Sequence, residues 1–146
     1  MAFEIIKDIN SNPARKIPVS SITVVAGDLL ELTAGSANWA LCTSTSNFFT
    51  RKAVALEANA AVANSSVLAQ ELNGNEQVRA ESANNSAAAD NGDRMTLTDA
   101  NTVNNTGTDV TGQAVSFVQT GTAGVVADKR IVGYVLVGSG VDPDAA

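Results

Sequence analysis

Residues 26–33 (AGDLLELT) and 91–98 (NGDRMTLT) share one pattern, a Gly-Asp turn followed by strict alternation of side-chain character. Leu30 and Leu32 in the first stretch correspond to Met95 and Leu97 in the second, while Leu29 and Glu31 correspond to Arg94 and Thr96. A period of two places successive side chains on opposite faces. Each stretch therefore predicts a strand entered from a tight turn, with Leu30, Leu32, Met95 and Leu97 facing inward. Gly27 takes a positive φ at no steric cost and Asp28 can bond its own backbone, so the pair makes a compact reversal.

The same reading extends along the chain. Residues 20–25 are a β-branched run, Trp39-Ala40-Leu41-Cys42 a short strand, and residues 48–56 a longer one. Arg51-Lys52 leads into the last of these, and Lys129-Arg130 leads into residues 131–136, where apolar and small residues again alternate. Gly133 within that stretch marks a bulge or a close backbone approach. Residues 67–72 and 77–81 flank Asn73-Gly74, which predicts a hairpin; the competing element is a short helix over 65–72. Residues 82–91 read as a low-complexity linker, 101–112 as a long loop, 115–118 as a strand and 121–124 as a turn. The Gly-Asp turns lie 65 residues apart and the dibasic pairs 78 apart, in the same order. This pattern predicts an all-β fold, a small barrel or sandwich built from a duplicated β unit, with coincidence as the alternative because Gly-Asp turns are common.

Three regions follow. Residues 1–18 form an extended N-terminal arm, 19–137 the β domain and 138–146 a flexible tail. The arm carries apolar Phe3, Ile5 and Ile6 and a basic stem at Arg15 and Lys16, bounded by Pro13 and Pro18. Such an arm either folds back on its own domain or grips a neighbour.

Charge and composition narrow the chemistry. The net charge is −6, and residues 61–146 carry four basic against ten acidic groups. Phosphate-tracking surfaces need the opposite sign, so neither nucleic acid nor an anionic membrane is an expected partner. With no His in the chain, the commonest zinc ligand and general base are missing. Cys42 is the only cysteine and is expected to be a buried apolar residue rather than a ligand or nucleophile. Glu76/Glu81 and Asp90/Asp93 are the paired carboxylates, read as solvated faces. No catalytic, cofactor or metal residues are therefore assigned, and the chain is expected not to be an enzyme. No apolar run reaches transmembrane length, and the first residues lack the basic and apolar regions of a signal peptide, which predicts a protein that stays in the cytoplasm where it is made.

The layout resembles the small β-barrel head-decoration, or capsid cement, proteins of tailed bacteriophages. The residues that carry the resemblance are Pro18-Val19 leading into VVAGDLLEL (24–32), AVALE (53–57), GDRMTL (92–97) and IVGYVL (131–136). The Asn-rich stretches around 82–91 and 101–112 depart from that compact pattern. The resemblance implies a virion structural protein, made in the host cytoplasm, that binds the major capsid protein on the outside of the shell as a homotrimer and stabilises it. Phe3, Ile5, Ile6, Arg15, Lys16 and Trp39 are the candidate capsid or subunit contacts. Two other readings stand beside it: another virion part such as a tail or head-fibre base, and a carbohydrate- or ligand-binding β module with Trp39 as its aromatic platform.

Overall fold

The computed structural model describes residues 3–7, 12–32, 35–59, 62–106, 112, 114–122 and 129–138. Their strands are β1 (Glu4–Lys7), β2 (Arg15–Val19), β3 (Leu29–Leu32), β4 (Ala40–Leu41), β5 (Arg51–Ala55) and β6 (Ser65–Glu71), then β7 (Gln77–Glu81), β8 (Arg94–Asp99), β9 (Thr102–Asn104), β10 (Phe117–Thr122) and β11 (Arg130–Val135). One 3₁₀ turn, Ala88–Asp90, accompanies them. The fold is all-β, as the alternation requires.

Two antiparallel sheets form, in the orders β1-β7-β11-β10-β8-β9 and β2-β6-β5-β3-β4. Each curls on itself until distant strands meet at a single parallel bridge, Val19 with Trp39 in one and Ser82 with Val103 in the other. The closure of the first pair is a hydrogen bond from Trp39 N to Pro18 O at 2.8 Å. Pro18, which has no N–H, occupies an edge position where only its carbonyl is needed.

The two curled sheets are copies of one topology. Strands β2 to β6 in the first unit take the places of β7 to β11 in the second. Leu30 opposite Ala53 becomes Met95 opposite Phe117, Val54 opposite Gln70 becomes Val118 opposite Tyr134, and Ile17 opposite Val67 becomes Ala80 opposite Ile131. The closing bridge follows the same rule, Val19 with Trp39 becoming Ser82 with Val103. A shift of 63–65 residues carries every one of these pairings across, so the duplicated unit is a property of the ladder and not only of two turns.

Both Gly-Asp turns are held alike. Gly27 N donates to Ala55 O and Gly92 N to Gln119 O, each at 2.7 Å, with φ at +92° and +91°. The likeness of the two dibasic stretches does not carry into the fold: by topology the counterpart of β5 is β10, and β11 corresponds to β6, so the two dibasic pairs are not equivalent.

Other expectations change with the register. Ser65–Glu71 are strand and not helix, but β6 and β7 lie in different sheets and do not form a hairpin. The buried Glu76 carboxylate accepts the backbone N–H groups of Asn73 and Gly74, which fixes a wider crossover between the sheets. Glu76 is thus a loop cap and not part of a solvated face. The β-branched run 20–25 is not a strand either; the Asn59 side chain receives Val24 N and donates to Ile22 O in place of a ladder. Gly121 lies in β10 rather than in a turn. The tail beyond residue 138 lies outside the described residues.

Two cores result. Ile17, Val19, Val24, Leu30, Trp39, Ala53 and Val67 fill the inside of the first unit. Met95, Leu97, Val103, Phe117, Ile131 and Val135 fill the second, and Leu29, Val54 and Leu72 from the outer face of the first unit join that cluster. β3 is therefore buried on both faces, Leu30 inward and Leu29 toward the second unit. Leu32, expected inward, is half-buried.

Candidate functional site

The residues expected to form an arm are woven into both units. β1 pairs with β7, and its other edge is tied by Phe3 N to Gly27 O at 2.9 Å. β2 pairs with β6 along its whole length. Of the two fates open to the arm, its described residues take the first and fold back on their own chain. Phe3 is buried, with its ring edge-on to Phe117 at 6.3 Å between centroids. Trp39 is only 3% exposed and closes the first unit. Ile5 packs half-buried on the second core. That leaves Ile6, Arg15 and Lys16 as the exposed members of the candidate set. Removing residues 1–18 would strip β1, nearly all of β2 and the buried Phe3 and Ile17, so these strands belong to the folded body.

Arg15 and Lys16 are engaged within the chain. Glu71 receives Arg51 through Nε and a terminal nitrogen, both at 2.8 Å, and Arg15 at 3.1 Å. The Arg51 guanidinium, opposed by burial and helped by Arg15, holds the Glu71 carboxyl below its ordinary value. The same guanidinium lies 5.6 Å from the Trp39 ring centre, a cation–π contact. Lys16 pairs with Glu57. These links fasten β2 to β5, β6 and the loop after β5, so the basic stem is a clasp on its own domain.

A buried polar tie joins the two units. Lys52 alternates with Val54 on the face of β5 turned toward the second unit, and its side chain is fully buried. Nζ donates to Asn47 O at 2.5 Å and to Leu136 O, beyond the end of β11, at 2.8 Å. Burial pushes its amine below the ordinary lysine value, opposed in part by the Glu31 carboxylate. Ser116, at the position equivalent to Lys52, reaches back with Oγ to Ser46 O at 2.8 Å. Burial and the neighbouring Glu31 push the Cys42 thiol far up, which keeps it protonated and unreactive. Lys52 was not singled out by its sequence, where it reads as half of a dibasic lead-in.

Five large apolar side chains are exposed among the described residues, Ile6, Val25, Phe48, Leu56 and Val62, and three of them lie on adjoining loops of the first unit. Val25, Leu56 and Val62 are exposed on loops that are bonded together through Ser21 N to Val62 O and Asn59 N to Val24 O. Beside them a groove of about 320 Å³ runs between β1 and the first unit, lined by Phe3, Ile5, Ala26, Val54 and Leu56 with Glu4 at its rim. Ile6 on β1 is exposed as well. Among the described residues no cluster of three or more His, Cys, Asp or Glu could hold a metal ion. Asp28 and Asp93 serve their turns: Asp28 Oδ2 accepts Val25 N at 3.0 Å, and the backbone N–H of Asp93 donates to Asp90 O.

Comparison with protein families, curated proteins and solved structures found no match for this chain.

Proposed function

We propose that this protein is a virion structural protein that binds the outer surface of a bacteriophage capsid and stabilises the shell, with the major capsid protein as its partner and a homotrimer as its working form. The observation that carries the reading is the segregation of its surface. Exposed Val25, Leu56 and Val62 lie on adjoining loops of the first unit beside the apolar groove, while Arg15 and Lys16 are engaged in internal ion pairs. An apolar patch on an otherwise polar surface marks a contact face. Weak contacts repeated over a lattice of identical sites give avidity without strong individual affinity. The two-unit body, tied through Lys52 and Ser116, supplies a stiff block for that role. The residue-level contact set shifts accordingly from Phe3 and Trp39, which are buried, to Ile6 and the loop valines.

The test is light scattering of the purified chain followed by co-sedimentation with empty phage shells, for the parent and for Val62→Asp and Ile6→Asp. Saturable binding that the two substitutions weaken supports the reading. A stable monomer that ignores shells overturns it. The alternative of an aromatic sugar platform required an exposed Trp39, and Trp39 is 3% exposed.

A further inference from the structure

The two units differ at one edge. In the second, the outer side of β7 is covered by β1, with Glu4 opposite Arg79 and Ile5 opposite Val78. Lys16 opposite Leu68 corresponds to Arg79 opposite Val132, so Lys16 and Arg15 stand where the second unit has Arg79 and Val78. β2 is the last strand of its sheet, and beyond the single bridge to Trp39 no strand among the described residues covers its outer side. The backbone groups left open can be named. Pro18 O accepts Trp39 N on that outer side, and residues two apart in a strand point their backbone groups the same way, so Lys16 N–H and C=O point outward too. The residue across the ladder agrees, since Leu68 O accepts Leu56 N on the side away from β2. Ala14, Lys16 and Pro18 are all exposed. An open edge of this kind is a template that another extended segment completes.

We propose that the outer edge of β2 takes an extended segment of another protein, paired at Ala14–Lys16 and carrying a carboxylate opposite Lys16 between apolar residues. The second unit is the precedent: β1 sets Glu4 against Arg79, with Phe3 and Ile5 on either side turned toward the core. Charge on the first unit favours the same pattern. Three cations, Arg15, Lys16 and Arg51, share two carboxylates, Glu57 and Glu71, which lie on β6 and the loop after β5, and β2 itself carries no acidic residue. A second copy fits poorly. Its β2 would set Arg15 and Lys16 against their own kind, and its β1 is already paired with β7 and holds the buried Phe3. Pro18 and Lys16 restrict the edge to a short, complementary strand, because proline offers no donor and lysine disfavours an apolar partner. Under the function proposed above, on which this choice of partner rests, the shell protein supplies the segment.

The probe is a synthetic peptide of residues 2–8, AFEIIKD, which contains the strand that covers the equivalent edge. It is titrated into the full chain and followed by amide NMR. Saturable shifts are expected along Ala14–Ile17, with β7 unchanged. Lys16→Pro removes the outward N–H but no bond of the β2–β6 ladder, and should weaken binding by about tenfold or more. Lys16→Gln keeps the N–H and should weaken it by no more than about fivefold. The peptide AFKIIKD should bind the parent more weakly and regain affinity for Lys16→Glu. Unchanged Trp39 fluorescence checks that each variant is folded, and if Lys16→Pro is not, the charge swap decides. No shells are present, so this titration and the co-sedimentation described above succeed or fail separately. Absence of saturation, shifts confined to β7 through exchange with β1, equal affinity for the parent and a folded Lys16→Pro, or a charge swap without effect overturns the proposal.

Discussion

Replacing Gly133 by alanine should be among the most damaging single-methyl additions in this chain. A Cβ at that position would sit 2.0 Å from Val118 O and 2.7 and 2.9 Å from two ring carbons of Phe117. The first contact is backbone, held in the β10–β11 ladder, so relief requires the strands to separate by about 1 Å and break hydrogen bonds on both sides. The equivalent residue in the first unit is Ala69, which tolerates its methyl because Ala53 stands where the second unit has Phe117. Small beside small in one unit is matched by large beside none in the other. Overpacking of well-filled cores costs about 1–3 kcal/mol, and a clash with fixed backbone belongs at or above the top of that range. A loss of about 3 kcal/mol is a large part of the 5–15 kcal/mol that holds a domain together. Urea denaturation followed by Trp39 fluorescence should show the midpoint falling by about 1 M or more, given a slope of about 1–3 kcal/mol per M. Gly92→Ala is the control. Its Cβ meets nothing within 4 Å and its cost is the positive φ alone, about 1–2 kcal/mol. If Gly133→Ala unfolds within about 0.5 kcal/mol of the parent, the packing account of the second unit is wrong.

Three further outcomes are expected. Burial holds the Lys52 amine below its ordinary value, so between its folded-state pKa and the ordinary value of 10.5 the unfolded chain binds more protons than the folded one. The contribution of this group to stability therefore rises with pH through that window, and Lys52→Met should flatten the rise in urea midpoint; an unchanged pH slope would sink the assignment. Glu71 has the opposite sign: its depressed pKa contributes stability above the ordinary 4.5 that is lost as pH falls through the folded value. Glu71→Gln should cost roughly 1 kcal/mol at neutral pH and shrink the acid-side loss, since its arginine partners are partly exposed. Trp39, the only tryptophan, should emit at short wavelength and resist acrylamide, whereas red emission with ready quenching would contradict the closed first unit.

Strand existence was largely legible along the chain. Alternation in 29–32 and 94–99 and the runs in 51–55 and 130–135 are period-two patterns, and these segments are β3, β8, β5 and β11. The Gly-Asp repeat pointed to duplication for a sound reason, because both glycines occupy the positive-φ corner that the turn demands. Failures came where a side chain does the work of backbone. Asn59 supplies the bonds that keep 20–25 out of a ladder, and Glu76 holds open the turn that Asn73-Gly74 would otherwise have made into a hairpin. Both act across distances of two to thirty-seven residues, and only the shortest of these leaves a local trace.

What the sequence determined by itself is the all-β class, the two turn corners and the burial of Cys42, since each depends on local stereochemistry or on hydrophobicity alone. Tertiary structure decided which strand answers to which. Arg51-Lys52 resembles Lys129-Arg130 in letters, yet register equates β5 with β10, because pairing is set by backbone hydrogen bonds that most side chains satisfy equally well. It decided that Glu4–Lys7 and Arg15–Val19 are paired strands of the body, since β1 finds its partner on β7, more than seventy residues away. And it decided where polar groups go inside. Lys52 is buried because two carbonyls from opposite units meet its amine at one point, and no spacing in the chain announces such a meeting.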